Sequence, residues 1–278
     1  MNIAISKEVR LKPVLSISHL SVKFTGGDGS PVLAVDDVSL SLATGEILCI
    51  VGPSGCGKST VLNVVAGMVR STPSAPVEIS GDFHIATQAT LRSRQIGYMF
   101  QQDTLLPWKT ALQNVMLPLT LQGRPGARER AEELLALTGL EGFGGRFPKE
   151  LSGGMRKRVQ MAQLLAQDPE ILLMDEPFGA LDAQTRALMQ QEFLRVWERD
   201  RKSIVFVTHD LTEAILLGDR ILSMSARPGR IKREVSVGIA RPRTVESLVG
   251  SDRYAELHHM LWADLQAEAV RTLGGGVR

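Results

Sequence analysis

Residues 46–60 read Glu-Ile-Leu-Cys-Ile-Val-Gly-Pro-Ser-Gly-Cys-Gly-Lys-Ser-Thr. An apolar run ends at Gly52, the spacing G-x-x-x-x-G-K-S/T follows, and residues 61–69 continue with a helical pattern. Glycines let consecutive backbone N–H groups turn inward around an anion, and the start of a helix adds partial positive charge. The stretch therefore predicts a phosphate-binding loop in which Lys58 reaches the β- and γ-phosphates and Ser59 ligates Mg²⁺. The predicted nucleotide contacts of the loop are Gly52, Pro53, Ser54, Gly55, Cys56, Gly57, Lys58, Ser59 and Thr60.

The composition is that of an ordinary folded protein. The chain has 278 residues, 44% hydrophobic and 22% charged, enough for one large or two modest domains. A formal net charge of +2 and 5% aromatic residues argue against nucleic acid as a partner. Cys49 and Cys56 have neither the number nor the spacing of a disulfide framework or a metal site. We see no secretion signal and no apolar stretch long enough to span a bilayer, so we expect a cytosolic protein that reaches a membrane through a partner.

Two predicted strands precede the phosphate loop. Apolar residues alternate over residues 14–24 and 32–42, and a glycine-rich turn separates the two stretches. Phe24 closes the first stretch. Its ring could stack on an adenine base or could belong to the core, and the strand pattern by itself favours the core.

A helical insertion is predicted from residue 102 to about residue 165, where the apolar spacing is helical within an otherwise α/β pattern. Ser152 is suited to cap a helix over residues 155–167. Gly153 and Gly154 at the helix start would expose N–H groups that could hold an anion. The cations at residues 156–158 could hold anions as well, or could form a solvated helix face.

Two continuous apolar runs predict strands that are buried on both faces of a parallel sheet. Residues 171–176 end in Asp175 and Glu176, and residues 204–209 end in His209. Open α/β sheets bind ligands at the carboxyl ends of their strands. We therefore expect Asp175 to hold Mg²⁺ through water opposite Ser59. Glu176 would polarise an attacking water, and His209 would hydrogen-bond that water or a γ-phosphate.

The chain resembles the nucleotide-binding subunit of ATP-binding cassette (ABC) transporters over residues 14–235. Five motifs carry the resemblance, in the order of that family: Walker A from Gly52 to Ser59, the Q-loop residue Gln101, the signature at residues 151–155, Walker B with its following glutamate from Ile171 to Glu176, and the switch histidine His209. The resemblance implies an α/β fold: a P-loop NTPase core of the ABC type with a mixed sheet, an antiparallel β subdomain and a helical subdomain at about residues 102–165. Residues 1–13 would then be an N-terminal tail. Residues 236–278 would be a C-terminal segment of unassigned role, with helical spacing over residues 246–272.

Mg²⁺-dependent ATP hydrolysis is the activity that the resemblance implies. Glu176 would be the general base, Lys58 would stabilise the charge of the phosphates, and His209 would steady the γ-phosphate. Gln101 would contact Mg²⁺ and report the nucleotide state to membrane subunits docked on the helical insertion. Phe24 falls where members of the family keep an aromatic residue that stacks on adenine.

Head-to-tail pairing of two such subunits is a second implication. Ser152, Gly153 and Gly154 of one copy would close over the ATP that is bound to the phosphate loop of the other. Ala180-Leu181-Asp182 looks like the D-loop of the family, which places Asp182 near the nucleotide as well.

Softer features are similar to the importer branch for nitrate, sulfonates and taurine. They are Leu-Leu-Pro-Trp-Lys-Thr-Ala at residues 105–111, Met-Asp-Glu-Pro-Phe-Gly-Ala-Leu-Asp at 174–182 and Ser-Ala-Arg-Pro-Gly-Arg-Ile at 225–231. Relatives for thiamine-precursor pyrimidines look alike, so the solute stays open. Such a subunit would work at the cytoplasmic face of the inner membrane with a separate permease and, indirectly, a solute-binding protein. Two departures from the family are Met155, where most members have Gln, and Gln163, where many have Arg.

Three other functions compete with import. The first alternative is that the chain is a subunit of an exporter. A non-transport ABC ATPase acting on ribosomes or DNA usually carries two cassettes or long inserted arms, and this chain has one cassette. A regulatory module that has lost hydrolysis is disfavoured, because the residues that hydrolysis needs are all present.

Overall fold

A computed structural model describes residues 13–26, 29–72, 76–85, 96–179 and 181–274. The predicted N-terminal tail up to residue 12 and Ala180 of the predicted D-loop lie outside these residues. The described chain contains a central sheet, a small antiparallel sheet packed on one face of it and a helical insertion with a core of its own. The predicted α/β fold is thus confirmed, with its antiparallel β subdomain and its helical insertion.

The small sheet has the spatial order β2-β1-β4 and is antiparallel throughout. Its strands are β1 (Pro13–Thr25), β2 (Pro31–Ala43) and β4 (Val77–Ile85). Every other side chain of a half-buried strand faces inward, and Leu15 and Ile17 accordingly lie in one core with Leu48 and Ile50 of the central sheet. A shift in strand register after Ile17 brings Val22 into the same core. The two strands predicted before the phosphate loop are confirmed.

The central sheet consists of five parallel strands and one antiparallel edge strand. In spatial order they are β5 (Ile96–Met99), β6 (Ile171–Asp175), β7 (Ser203–Thr208), β3 (Ile47–Val51), β8 (Arg220–Met224) and β9 (Ile231–Ser236). All residues of β3 and β7 are buried, because helices or the small sheet cover both faces. The carboxyl ends of β3, β6 and β7 meet at one edge of the sheet.

Three helices flank this sheet: α1 (Lys58–Val65), α5 (Ala183–Asp200) and α6 (Leu211–Leu217). The phosphate loop passes directly into α1, which therefore begins at Lys58 and not at the predicted residue 61. In the part of the chain that the structure covers, no helix combines the length and the apolar composition that crossing a membrane requires.

The helical insertion contains α2 (Ala111–Leu121), α3 (Ala127–Leu137), a 3₁₀ turn (Pro148–Glu150) and α4 (Gly153–Ala166). Thr110 and Gln113 form a reciprocal cap at the start of α2. Ser152 caps α4 as predicted, since its Oγ accepts from the N–H of Met155 over 3.2 Å. The insertion buries its own apolar faces, which fixes it as a separate layer beside the sheet.

The C-terminal segment is broken where one helix was predicted. It forms α7 (Val245–Val249) and α8 (Asp252–Gly274). Gly250 ends the first helix, and the hydroxyl of Ser251 accepts from the N–H of Tyr254 over 3.3 Å at the start of the second. Leu257 and Leu261 of α8 are fully buried in the same core as α6, so this segment packs as part of the α/β core.

A buried guanidinium joins this segment to α6. Arg243 is 6% exposed, and it donates to the carbonyl oxygens of Gly218 at 2.6 Å and Ile215 at 3.0 Å. Carbonyl groups at a helix end have no partner within the helix, and Arg243 supplies donors for them. Burial lowers the pKa of Arg243 to about 10, and the neighbouring charge of Arg241 adds to the effect.

Replacing Arg243 by Met should lower the free energy of unfolding by about 2–3 kcal/mol, because buried carbonyl groups lose their donor. Urea unfolding followed by circular dichroism measures the change. The control is Arg195→Met on the exposed side of α5, where a surface ion pair with Glu192 contributes about 0–1 kcal/mol. Equal losses in the two variants would contradict a structural role for Arg243.

Candidate functional site

The phosphate loop connects β3 to α1. Gly55 and Gly57 have φ angles of 74° and 99°, in the left-handed region that other residues resist. Cys56 between them buries its side chain, so the loop presents its backbone there. Burial also raises the pKa of the Cys56 thiol, against the opposing charge of Lys58. The Lys58 ammonium lies over the loop and donates to the carbonyl oxygens of Gly52 at 2.8 Å and Pro53 at 3.0 Å.

The loop is held between two neighbouring segments. On one side, a Cβ added to Gly57 would lie 2.9 Å from the carbonyl oxygen of Ala34 in β2. On the other side is the 225–230 loop, which joins β8 to β9. A Cβ added to Gly229 there would collide with the carbonyl oxygen of Cys56. Gly229 also donates its N–H to Ala34 over 3.0 Å, so the two supporting segments are bonded to each other.

A cleft of about 400 Å³ opens beside the loop. Nine of the predicted site residues line it: Phe24, Ser54, Gly55, Gly57, Lys58, Ser59, Thr60, Gln101 and Glu176. Phe24 is half-buried at the wall of the cleft, where it also packs against the core of the small sheet. The alternatives that the sequence left open for Phe24 are therefore not exclusive.

Ser59 lines the cleft and contacts Asp175 at the end of β6. The Ser59 hydroxyl donates to Oδ1 of Asp175 over 3.0 Å. Burial raises the pKa of Asp175, and the hydrogen bond from Ser59 opposes that effect. A hydroxyl and a partly desolvated carboxylate are oxygen donors that suit Mg²⁺. These two residues therefore fit the divalent cation that the sequence predicted.

Two side chains converge on the carboxylate of Glu176. Its Oε2 lies 3.0 Å from Nδ1 of His209, and it accepts from Nε2 of Gln101 over 3.3 Å. The backbone of Glu176 has a φ of 44°, and its N–H donates to the carbonyl oxygen of Val207 over 2.9 Å. The parallel strands thus bring together three predicted residues that are far apart in the sequence.

The predicted signature residues do not line this cleft. Ser152 and Gly153 are exposed at the start of α4. Gly154 packs against α5, because an added Cβ would lie 2.7 Å from Cγ2 of Thr185. Asp182 is also outside the cleft; its carboxylate caps α5 by accepting from the N–H of Thr185 over 3.0 Å.

The cations at residues 156–158 bond to the chain itself. Lys157 is buried, and its ammonium donates to the carbonyl oxygens of Phe100 at 3.0 Å and Gln101 at 2.7 Å. Arg156 pairs with Asp103 over 2.7 Å. The predicted uses are therefore wrong for Lys157, whereas Arg156 and Arg158 stay partly exposed.

Sequence reasoning missed several residues around the cleft. Arg227 of the 225–230 loop lines it, together with Val32 and Ala34 of β2. Tyr98 at the end of β5 donates to Oδ1 of Asn63 in α1 over 2.9 Å. The Pro-Gly turn after Arg227 indicates only a chain reversal, so no local signal identified this arginine.

Replacing Gly229 by Ala should weaken ATP binding by at least tenfold, because the new methyl group displaces the backbone of the phosphate loop at Cys56. Equilibrium binding of a fluorescent ATP analogue measures the loss. Gly250→Ala is the matched control, because nothing lies within 4 Å of a Cβ added there. Unchanged binding by the Gly229 variant would show that the 225–230 loop does not support the phosphate loop.

The chain matches the family model described as "ABC transporter" over residues 35–179. An uncharacterized ABC transporter ATP-binding protein of Methanocaldococcus jannaschii is 41% identical over 97% of each chain. A taurine import ATP-binding protein of Rhizobium johnstonii is 41% identical over 91% of this chain and 97% of the relative.

One solved structure is similar in fold as well as in sequence. It is a dimeric ABC cassette in a post-hydrolysis state with ADP and phosphate bound. It has a TM-score of 0.66 and 33% identity, and the match covers 81% of this chain and all of that one. Together with the site described above, these similarities establish that the chain belongs to the ABC transporter family and is an ATPase that binds ATP with Mg²⁺.

Proposed function

We propose that this chain powers the import of a small sulfonate, such as taurine, through a separate membrane permease. Support for ATP turnover comes from the contact of Glu176 with both His209 and Gln101, next to the Ser59–Asp175 pair. Support for import and for the solute class comes from the taurine import relative, since taurine is an aminosulfonate. The sequence features shared with the nitrate and sulfonate branch point the same way.

Binding of the phosphates falls to the loop and to Lys58. The loop would donate backbone N–H groups to phosphate oxygens, and the ammonium of Lys58 would exchange its present carbonyl partners for them. Ser59, Asp175 and Gln101 would hold Mg²⁺, directly or through water. Mg²⁺ neutralises phosphate charge when it is bound. Phe24 would stack on the adenine ring at the other end of the cleft.

Glu176 would accept the proton of the attacking water. Its Oε2 already accepts hydrogen bonds, and its side chain is 19% exposed, so it is reachable from the cleft but shielded from bulk solvent. His209, 54% exposed beside it, can bond both this carboxylate and a γ-phosphate. The pair would orient water for in-line attack, a contribution of positioning and proton transfer.

A second copy of the chain would complete the site. Ser152 and Gly153 are exposed at the N-terminus of α4, where N–H groups can bind an anion, but they do not line the cleft of their own chain. Head-to-tail pairing would place them, with Gly154, over the partner's ATP. Asp182 would lie beside the same junction. The dimeric state of the similar solved cassette supports this arrangement.

The permease would dock on the helical insertion. Trp108 and Leu121 are 70% and 78% exposed there, and large apolar side chains left in solvent mark contact surfaces. Lys157 of α4 donates to the backbone of Gln101, so the insertion and the nucleotide cleft are directly bonded. Closure on ATP and opening after hydrolysis would thus move the docking surface.

Replacing Glu176 by Gln should keep ATP affinity and lower kcat by about 10²–10⁴-fold, because the amide keeps the shape of the side chain but cannot accept the proton. Steady-state phosphate release and ATP binding measure the two quantities. Glu170→Gln, an exposed carboxylate just before β6, is the matched control and should turn over ATP like the wild type. Wild-type turnover by the Glu176 variant would remove its proposed role.

The transport proposal is tested by purifying the tagged protein from detergent-solubilised native membranes. We expect a multi-spanning permease and a solute-binding protein to co-purify, and taurine or another sulfonate to bind the latter. Nitrate or a pyrimidine as the ligand would overturn the solute class. A permease without a solute-binding protein would favour export, and ribosomal or DNA-bound partners would favour a non-transport ATPase.

A further inference from the structure

The 225–230 loop touches the phosphate loop through a side chain as well as through Gly229. Nε of Arg227 donates to the carbonyl oxygen of Gly55 over 3.0 Å. The N–H of the same peptide unit, on Cys56, donates to the carbonyl oxygen of Pro53 over 3.3 Å. This peptide is therefore held at both ends. Its orientation decides where the loop directs its backbone dipoles, and Gly55 is a left-handed residue free to turn.

The backbone next to Arg227 is in turn held by the C-terminal helix. Oε2 of Glu268 in α8 accepts from the N–H of Ala226 over 3.0 Å. Its other oxygen accepts from the ammonium of Lys232 over 3.1 Å. The residue is 2% exposed. Burial opposes ionisation, but the bonds from Ala226 and Lys232 outweigh it and hold the pKa of Glu268 below its usual range.

The position of Glu268 is set by the docking of α8. One side of the helix buries Leu257 and Leu261 in the core beneath the central sheet. One turn before Glu268, Asp264 accepts from Nε of Arg233 in β9 over 2.7 Å. Apolar burial and this ion pair fix the helix on the sheet without touching the 225–230 loop. Through its hydrogen bond to Ala226, Glu268 then holds the 225–230 loop in a fixed position relative to the helix.

We propose that Arg227 is a positioning residue for the phosphate loop and that Glu268 makes the C-terminal helix part of the ATP site. The docked helix α8 fixes the backbone at Ala226 and thereby the position of the adjacent Arg227. The guanidinium of Arg227 then holds the Gly55 peptide in the conformation that receives phosphate. The inference depends on ATP binding by this chain and is independent of transport. It gives the C-terminal segment a role in nucleotide affinity.

The test compares four variants of the full-length chain: Arg227→Met, Arg227→Lys, Glu268→Ala and Glu268→Gln. Arg227→Met removes the side-chain bond to the phosphate loop, and Glu268→Ala removes the bond to the 225–230 loop. Each change should raise the KM for ATP by about 3- to 10-fold, with kcat within about twofold of wild type. Arg227→Lys and Glu268→Gln keep a donor or an acceptor at these positions and should restore much of the affinity. Glu256→Gln, an exposed carboxylate on the same helix that pairs with Arg253, is the control and should behave as wild type.

The double variant Arg227→Met/Glu268→Ala identifies the connection between the two residues. If Glu268 acts through Arg227, the KM of the double variant should equal the KM of the single Arg227→Met variant. The Glu268→Ala change then removes nothing that the Arg227→Met change has not already removed. Multiplied effects would show two independent contributions and would overturn the relay. An Arg227→Met variant with wild-type KM would overturn the proposal even if the Glu268→Ala variant failed to fold. A wild-type chain that bound no ATP would instead refute the ATPase function itself.

Discussion

The common register of three parallel strands is the constraint on which the site depends. Val51 at the end of β3 pairs with Thr208 of β7, and Asp175 at the end of β6 pairs with Val207. The strands therefore end level with one another, and whatever follows each of them appears at the same edge. A slip of one residue in this ladder would turn side chains to the opposite face of the sheet. The proposed chemistry requires groups from three separate segments to lie within hydrogen-bond distance of one another. The buried ladder of strands holds the segments at that distance.

Hydrogen bonds within the protein connect the nucleotide cleft to the exposed start of α4. The ammonium of Lys157 is buried between α4 and the backbone at Phe100 and Gln101. The start of α4 carries the exposed Ser152, while the side chain of Gln101 reaches Glu176. A displacement of Gln101 is thus resisted by, or transmitted to, the helix whose N-terminus faces outward. The cost of leaving a buried ammonium without partners makes this connection stiff.

Much of this arrangement could be predicted from the sequence, because it depends on local patterns. Continuous apolar runs identify buried strands, and polar residues directly after them must lie at the edge of the sheet, as Asp175 and His209 do. The spacing of glycine, lysine and serine that predicts the phosphate loop also lies within a few consecutive residues. The motif order then predicted the family correctly.

The supporting residues could not be predicted, because their roles depend on neighbours that are distant in the chain. Arg227 is 172 positions from the carbonyl group that it holds. Lys157 stands between two arginines in a stretch that reads as a solvated helix face, and only the packing of α4 against the Gln101 segment determines otherwise. The break at Gly250 was missed, because apolar residues occur at helical spacing both before and after it.

The backbone of Glu176 is left-handed, and this restricts which residues can stand at its position. Glycine, asparagine and aspartate adopt that conformation most easily, whereas a β-branched residue resists it. A descendant with glycine or asparagine at this position would lose the carboxylate but keep the turn and the fold. Hydrolysis can therefore be lost in evolution through one substitution that leaves the structure of the cassette unchanged.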